Sequence, residues 1–138
     1  MKLFYRKMGK GAPVLILHGL FGISDNWISI AKQLADNYCI YIPDMRNHGR
    51  SPHSHIFTYS AMVDDLYEFL TDLNLHQIAL IGHSMGGLAA VNFALEYPHR
   101  IRALINTIPA ASHWIHSDAP NELIALIRSF LKTEQVPM

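Results

Sequence analysis

The sequence predicts an α/β fold, a mostly parallel sheet with flanking helices, and three observations predict it. Short apolar runs alternate with longer segments of helical periodicity along the 138 residues. Two of the runs, Val14-Leu15-Ile16-Leu17 and Ile78-Ala79-Leu80-Ile81, are continuously apolar, as strands buried on both faces of a parallel sheet are. In the segment 59–74, Met62, Leu66, Phe69, Leu70 and Leu73 recur at three- and four-residue spacing, with Asp64, Asp65 and Glu68 on other faces.

Taken in order, strands are expected over 2–8, 13–18, 38–43, 77–82 and 101–107, and helices over about 26–36, 59–74 and 85–97. After Pro109 the run Ala110-Ala111-Ser112-His113-Trp114 reads as loop. Asp118 and Pro120 then open a further helix with Leu123, Leu126, Ile127, Phe130 and Leu131 on one face. The length suits one domain.

Composition narrows the function classes. Half of the residues are hydrophobic and 16% are charged, against about 25% in an average soluble domain, which excludes intrinsic disorder. Eleven basic and eleven acidic residues give zero net charge with no basic run, so nothing favours nucleic acid or an anionic membrane as partner. The lone Cys39, within Tyr38-Cys39-Ile40-Tyr41-Ile42, forms no internal disulfide and reads as a small buried hydrophobe. No stretch reaches the roughly 18 apolar residues of a membrane span. The start, Met1-Lys2-Leu3-Phe4-Tyr5-Arg6-Lys7, has charges where a signal peptide carries its apolar core. A cytoplasmic location is the resulting expectation.

The sharpest motif is Gly82-His83-Ser84-Met85-Gly86-Gly87, between the strand at 77–82 and the helix at 85–97. A serine on a sharp strand-to-helix turn needs residues nearly without side chains two before and two after it; Gly82 and Gly86 meet that need. This is the pattern of a nucleophile elbow with Ser84 as nucleophile. The bland alternative is a glycine-rich turn that holds an anion at a helix start. A second motif, His18-Gly19-Leu20-Phe21-Gly22, ends the strand at 13–18. Acyl transfer needs two preorganised N–H donors for its oxyanion. The Met85 amide supplies one and the Leu20 amide the other, with Phe21 as the alternative. His18 reads as orienting this loop rather than as a base. A third motif, Asp44-Met45-Arg46-Asn47-His48-Gly49-Arg50-Ser51, reads as a buried polar turn that satisfies backbone groups. With His53 and His55 it lacks the spacing of a metal site, so no metal or other cofactor is expected.

Together these motifs, in this order, resemble the α/β-hydrolase fold family, with Asn26-Trp27 and Tyr97-Pro98 at family-like positions. The set is most similar to small bacterial acyl-esterases and to related C–C hydrolases and lactonases. The resemblance implies hydrolysis of a carboxylic ester or related acyl bond in a small molecule, through an acyl-Ser84 intermediate. It also implies an acid and a histidine downstream of the serine. The chain departs from the family there: it resembles an N-terminal half, truncated after the family's sixth strand and the start of a lid. Residues 1–108 would be the N-terminal part of the core and 109–138 the beginning of an incomplete helical lid. Some members carry the acid at a position matched here by Asn106, and an amide cannot stabilise an imidazolium. His113, His116 and Asp118 are the local substitutes for base and acid. Leu123, Ile127, Phe130 and Trp114 either face a short- to medium-chain acyl group or pack onto the core.

Three readings remain open: a serine hydrolase, a catalytically inactive truncated product or non-catalytic binding module, and one half of a two-chain hydrolase. A sheet ending at 101–107 would expose an edge with Ile101, Leu104 and Ile105, which predicts self-association or pairing with a complementary C-terminal half.

Overall fold

The computed structural model describes residues 1–107 and seven later helical positions, Asn121, Ile124, Ala125, Ile127, Arg128, Ser129 and Leu131. Five strands form one sheet: β1 (Tyr5–Met8), β2 (Ala12–Leu17), β3 (Tyr38–Pro43), β4 (Ile78–His83) and β5 (Ile101–Thr107). Their spatial order is β1-β3-β2-β4-β5. Only β1 runs antiparallel to its neighbour; β2–β3, β2–β4 and β4–β5 are parallel. The mostly parallel α/β architecture expected from the continuous apolar runs is therefore present. Val14, Ile16 and Leu17 are fully buried, as are Leu80 and Ile81.

Three helices complete the crossovers: α1 (Ile28–Leu34), α2 (Tyr59–Asp72) and α3 (Met85–Glu96). One face of the sheet packs Val14, Ile16, Ile40 and Ile81 against Trp27, Ile30 and Leu34 of the α1 region. The other packs Leu15, Leu17 and Leu80 against Met62, Leu66 and Phe69 of α2 and against Ala89, Ala90 and Phe93 of α3. Adjacent strands β2 and β4 thus send their following helices to opposite faces. The crevice this opens at their carboxyl ends is where an α/β sheet binds its ligand.

Local hydrogen bonds explain where elements depart from the sequence reading. The strand expected from residue 2 begins at Tyr5, because the Phe4 N–H donates to Ser51 Oγ at 3.0 Å and its carbonyl accepts from Asp44 N–H at 2.8 Å. The helix expected from 26 begins at Ile28 after a 3-10 turn over Ser24–Trp27, in which Asn26 Oδ1 accepts from the Ile23 N–H. Thr58 caps α2, its hydroxyl accepting from Ala61 N–H.

Asp65 corrects the amphipathic reading of α2. It lies on the buried face, with 2% of its surface exposed. There the Arg46 Nε and Nη2 donate to its two oxygens at 2.7 and 2.8 Å, and Arg46 Nη1 donates to the Ile56 carbonyl. Spacing alone marks Asp65 as polar; a partner contributed by the loop after β3 is what permits its burial.

Of the segment read as the beginning of a lid, most lies outside the described residues, including Trp114, Leu123 and Phe130. Ile124, Ile127 and Leu131 are buried with Trp27, Ile30 and Leu34, and Arg128 donates to the Gln33 carbonyl. For Ile127 this position favours packing onto the core over contact with an acyl group.

The buried ion pair generates a stability prediction. Asp65→Ala leaves the Arg46 charge buried and unpaired, which destabilises the fold by about 3–5 kcal/mol. Urea unfolding measures it, and a loss below about 1 kcal/mol would mean that Arg46 finds water instead.

Candidate active site

Ser84 sits between β4 and α3 with φ 54° and ψ −116°, a conformation an L-residue occupies only under constraint. The constraint is the close approach of backbone on every side. A Cβ on Gly86 would lie 2.3 Å from the Leu17 carbonyl oxygen and 2.5 Å from that of His18. A Cβ on Gly82 would lie 2.5 Å from the Gly86 carbonyl oxygen. The Ser84 N–H donates to the Thr107 carbonyl at 3.3 Å and its own carbonyl starts α3 by accepting from Leu88 N–H. Gly82, Ser84 and Gly86 thus share a tight strand-to-helix turn in which Ser84 takes a positive φ. The Ser84 hydroxyl is half-buried and has no hydrogen-bond partner among the described residues.

The loop after β2 comes directly against the serine, since a Cβ on Gly19 would lie 3.2 Å from Ser84 Cβ. Two histidines set this loop. His18 is fully buried; its Nδ1–H donates to the Gly19 carbonyl at 2.8 Å and its Nε2 accepts from Met45 N–H at 2.9 Å. Both ring nitrogens are engaged in the neutral form, and burial pushes its pKa down to about 4. His18 therefore orients the loop and is not a base for Ser84. His48 accepts from the Phe21 N–H at 3.1 Å through Nε2, while its Nδ1 donates to the Arg46 carbonyl. The Phe21 amide, the alternative oxyanion donor, is thereby occupied. The amides of Leu20 and Met85 have no partner among the described residues.

The third motif is the polar turn its composition suggested. Asp44, 2% exposed, accepts from Ser24 N–H and Arg50 N–H, and its carbonyl accepts from the Ser51 hydroxyl. Asn47 exchanges two hydrogen bonds with the Ser54 backbone. Gly49, at φ 52°, leaves room for the Asp44 carboxylate, which a Cβ would meet at 2.3 Å. His53 and His55 lie apart from the serine, on an open depression with Asn47 and Ser54. Among the described residues no group of three His, Cys, Asp or Glu side chains comes together to hold a metal ion.

In front of Ser84 lies a cavity of about 290 Å³ lined by Leu20, Phe57, Thr58, Tyr59, Met62, Met85 and Leu88. Its walls are largely apolar and it is open to solvent. Its shape and chemistry suit a small acyl group bound over the serine.

A family profile described as alpha/beta hydrolase fold matches residues 12–132. The chain belongs to the α/β-hydrolase fold family. It is 43% identical to the sn-1-specific diacylglycerol lipase ABHD11 of Danio rerio, over 70% of this chain and 31% of that protein. It is 34% identical to Esterase YbfF of Escherichia coli, over 89% of this chain and 48% of that protein. Among solved structures, a marine microorganism esterase superposes with a TM-score of 0.76 at 38% identity, covering 99% of this chain and 52% of that one. The chain thus spans about half the length, or less, of these relatives.

Within this α/β-hydrolase, the fold brings Ser84, Met85, Leu20, Gly82 and Gly86 together, and it leaves the acid and base unassigned among the described residues. Asn106, at the position where some members carry an acid, pairs in register with Gly82. Its Oδ1 is buried without a hydrogen-bond partner among the described residues, packed so closely on α3 that a Cβ on Gly87 would overlap it. His83 is buried, with Nδ1 hydrogen-bonded to Thr107 Oγ1 rather than to the serine. His113, His116 and Asp118 lie outside the described residues. The sequence reading placed His48 in a buried polar turn that satisfies backbone groups, as it does, but did not link it to the loop after β2. Nor did it name the cavity wall of Phe57, Thr58 and Tyr59. The apolar pair Ile56-Phe57, in an otherwise polar loop and more than 40% exposed, was the available signal.

The neutral His18 makes stability acid-sensitive in a defined window. Its folded-state pKa lies below the unfolded value of 6.5, so its contribution is complete above pH 6.5 and is lost as pH falls to about 4. The loss attributable to His18 amounts to about 3 kcal/mol. Denaturant midpoints measured between pH 7 and pH 4 should fall more steeply for wild type than for His18→Gln. Parallel slopes would show that His18 does not titrate with folding.

Proposed function

We propose that this chain is the nucleophile-bearing half of a serine hydrolase that cleaves a carboxylic ester or related acyl bond of a small molecule. The observation that carries this reading is Ser84 itself: a residue with strained backbone at an apolar cavity, whose hydroxyl and two flanking amides have no hydrogen-bond partners among the described residues. In the proposed reaction Ser84 Oγ attacks the acyl carbonyl carbon, and the carbonyl electron pair moves onto oxygen. The Leu20 and Met85 N–H groups hold that oxyanion. The serine proton passes to a base from outside residues 1–107 and then to the departing alcohol as the C–O bond breaks. Water then releases the acid from acyl-Ser84. No cofactor takes part. The names of the relatives, esterases and lipases, support the same reaction class.

A second reading, a binding module or one half of a two-chain enzyme, is favoured by the Ser84 hydroxyl, which has no hydrogen-bond partner among the described residues. Ser84→Ala separates it from catalysis by this chain alone. Hydrolysis of p-nitrophenyl acetate and butyrate by the wild-type chain should exceed that of Ser84→Ala, and mass spectrometry should find an acyl group on Ser84. The oxyanion donors and binding alone leave a modest residual rate, roughly 10³-fold above water, in both proteins, and the excess in wild type reports Ser84. Equal rates in the two proteins would rule out nucleophilic catalysis by this chain alone and leave the binding module and the two-chain enzyme.

The free side of β5, with Ile101, Leu104 and Ile105 half-buried, pairs with no strand among the described residues. We expect this edge to recruit a complementary C-terminal half or a second copy. Size-exclusion chromatography at high concentration should then show dimers or larger species, whereas a sharp monomer peak with cooperative thermal unfolding would refute self-association.

A further inference from the structure

The two peptide planes that follow Gly19 are each held by an imidazole. The Gly19 carbonyl accepts from His18 Nδ1–H at 2.8 Å and from Gly22 N–H at 2.9 Å. In a trans peptide the N–H points opposite to the carbonyl, so the Leu20 N–H faces away from both donors. The next plane is held through its other end, where Phe21 N–H donates to His48 Nε2. Phe21 needs such a hold: its φ is 64° and its side chain is 81% exposed, so no packing keeps it there.

His48 is itself built in. It is 8% exposed, its Nδ1–H is bound by the Arg46 carbonyl, and its ring lies 5.0 Å from that of His18 and 6.1 Å from that of Phe57, a wall of the cavity. With Nδ1 donating, Nε2 can only accept. The exchange between the two loops is reciprocal. His18, from the loop after β2, accepts a backbone N–H of the loop after β3, and His48 returns the same bond.

We propose that His48 is a positioning residue that selects the oxyanion donor: by occupying the Phe21 N–H it fixes the Leu20–Phe21 peptide and leaves Leu20 alone to present its N–H beside Ser84. The proposal rests on reading Ser84 as the nucleophile. Nothing is bonded covalently and no proton leaves His48. If the acceptor is removed, the Leu20–Phe21 peptide is free to rotate. The Leu20 N–H belongs to the preceding plane and keeps its hold through the Gly19 carbonyl. The Leu20 carbonyl, however, can then swing round so that its dipole opposes the oxyanion, and the preorganised field is weakened although the cavity stays intact.

Two variants isolate the acceptor. Gln at position 48 places an amide oxygen near the site of Nε2 but loses the bond to the Arg46 carbonyl. Asn places its amide near Nδ1, keeping that bond but offering Phe21 nothing. Backbone amide exchange by ¹⁵N NMR on the full chain should show Phe21 protected in wild type and His48→Gln and exposed in His48→Asn, with Leu20 exchanging fast in all three. Ser84-dependent turnover of p-nitrophenyl acetate should show kcat falling about a hundredfold in His48→Asn with KM unchanged. His48→Gln should recover most of that loss. Equal Phe21 protection in wild type and His48→Asn would overturn the proposal. Equal kcat losses in the two variants, or a change confined to KM, would reduce His48 to a packing residue. If turnover instead proves independent of Ser84, the nucleophile reading fails, and the exchange data still decide whether His48 holds Phe21.

Discussion

The arrangement depends on how closely the first turn of α3 approaches the ends of β2, β4 and β5. Gly86 passes over the Leu17 and His18 carbonyls, Gly82 lies under the Gly86 carbonyl, and Gly87 packs on Asn106. At these distances a single methyl group has no room, so the helix can sit here only with glycine at all three positions. The serine between them must then turn through φ 54°, which lifts its side chain off the sheet. Strain at one residue and absence of side chains at three others are the same constraint seen from two sides. Packing in the rest of the sheet, where Ala79, Leu80 and Ile81 are inaccessible to solvent, holds that constraint in place.

A second layer of order comes from the loop after β3, which builds no helix or strand yet is among the most hydrogen-bonded parts of the molecule. Asp44 draws in the backbones of Ser24 and Arg50, Ser51 connects Phe4 to Asp44, and Arg46 reaches across to α2. These side chains replace the ladder bonds that an irregular segment lacks, which lets a loop lie buried beside the site. The histidine exchange with the loop after β2 belongs to this layer. It uses neutral imidazoles because each ring must donate from one nitrogen and accept at the other.

The parts of this structure legible in the sequence are those written in short-range pattern. The continuous apolar runs of β2 and β4 mark strands covered on both faces, and the three- and four-residue spacing in α2 marks its buried stripe. Gly82, Ser84 and Gly86 are legible because the chemistry of a sharp turn restricts residue type at fixed offsets. What was hidden depends on partners distant in sequence. Asp65 carries a charge that spacing assigns to solvent, and Arg46, 19 residues away, with the N-terminal amine of Met1 at 3.7 Å, makes its burial tenable. His48 looks like one more polar residue in a turn until the loop 27 residues before it supplies the Phe21 N–H. The walls at Phe57 and Tyr59 lie at the end of a loop without periodicity and at the first residue of α2, where the exposed apolar Ile56-Phe57 pair is the sole local hint that they face the serine.

The sheet order also has a kinetic side. β2 is central, joined on one flank to β3 and on the other to β4, and Val14 meets Ala79 only when most of the described chain has been gathered in. The β2–β3 contact closes a short loop, whereas β2–β4 closes a long one at greater entropic expense. Ser84 follows β4 and the Gly19–Leu20 turn follows β2, so the two halves of the site meet only through that late pairing. A chain that stops folding after β3 docks on β2 has much of one hydrophobic face but has not brought Ser84 beside Gly19. The Ser84 turn and the Gly19–Leu20 turn therefore come together with the sheet's longest-range contact, not before it.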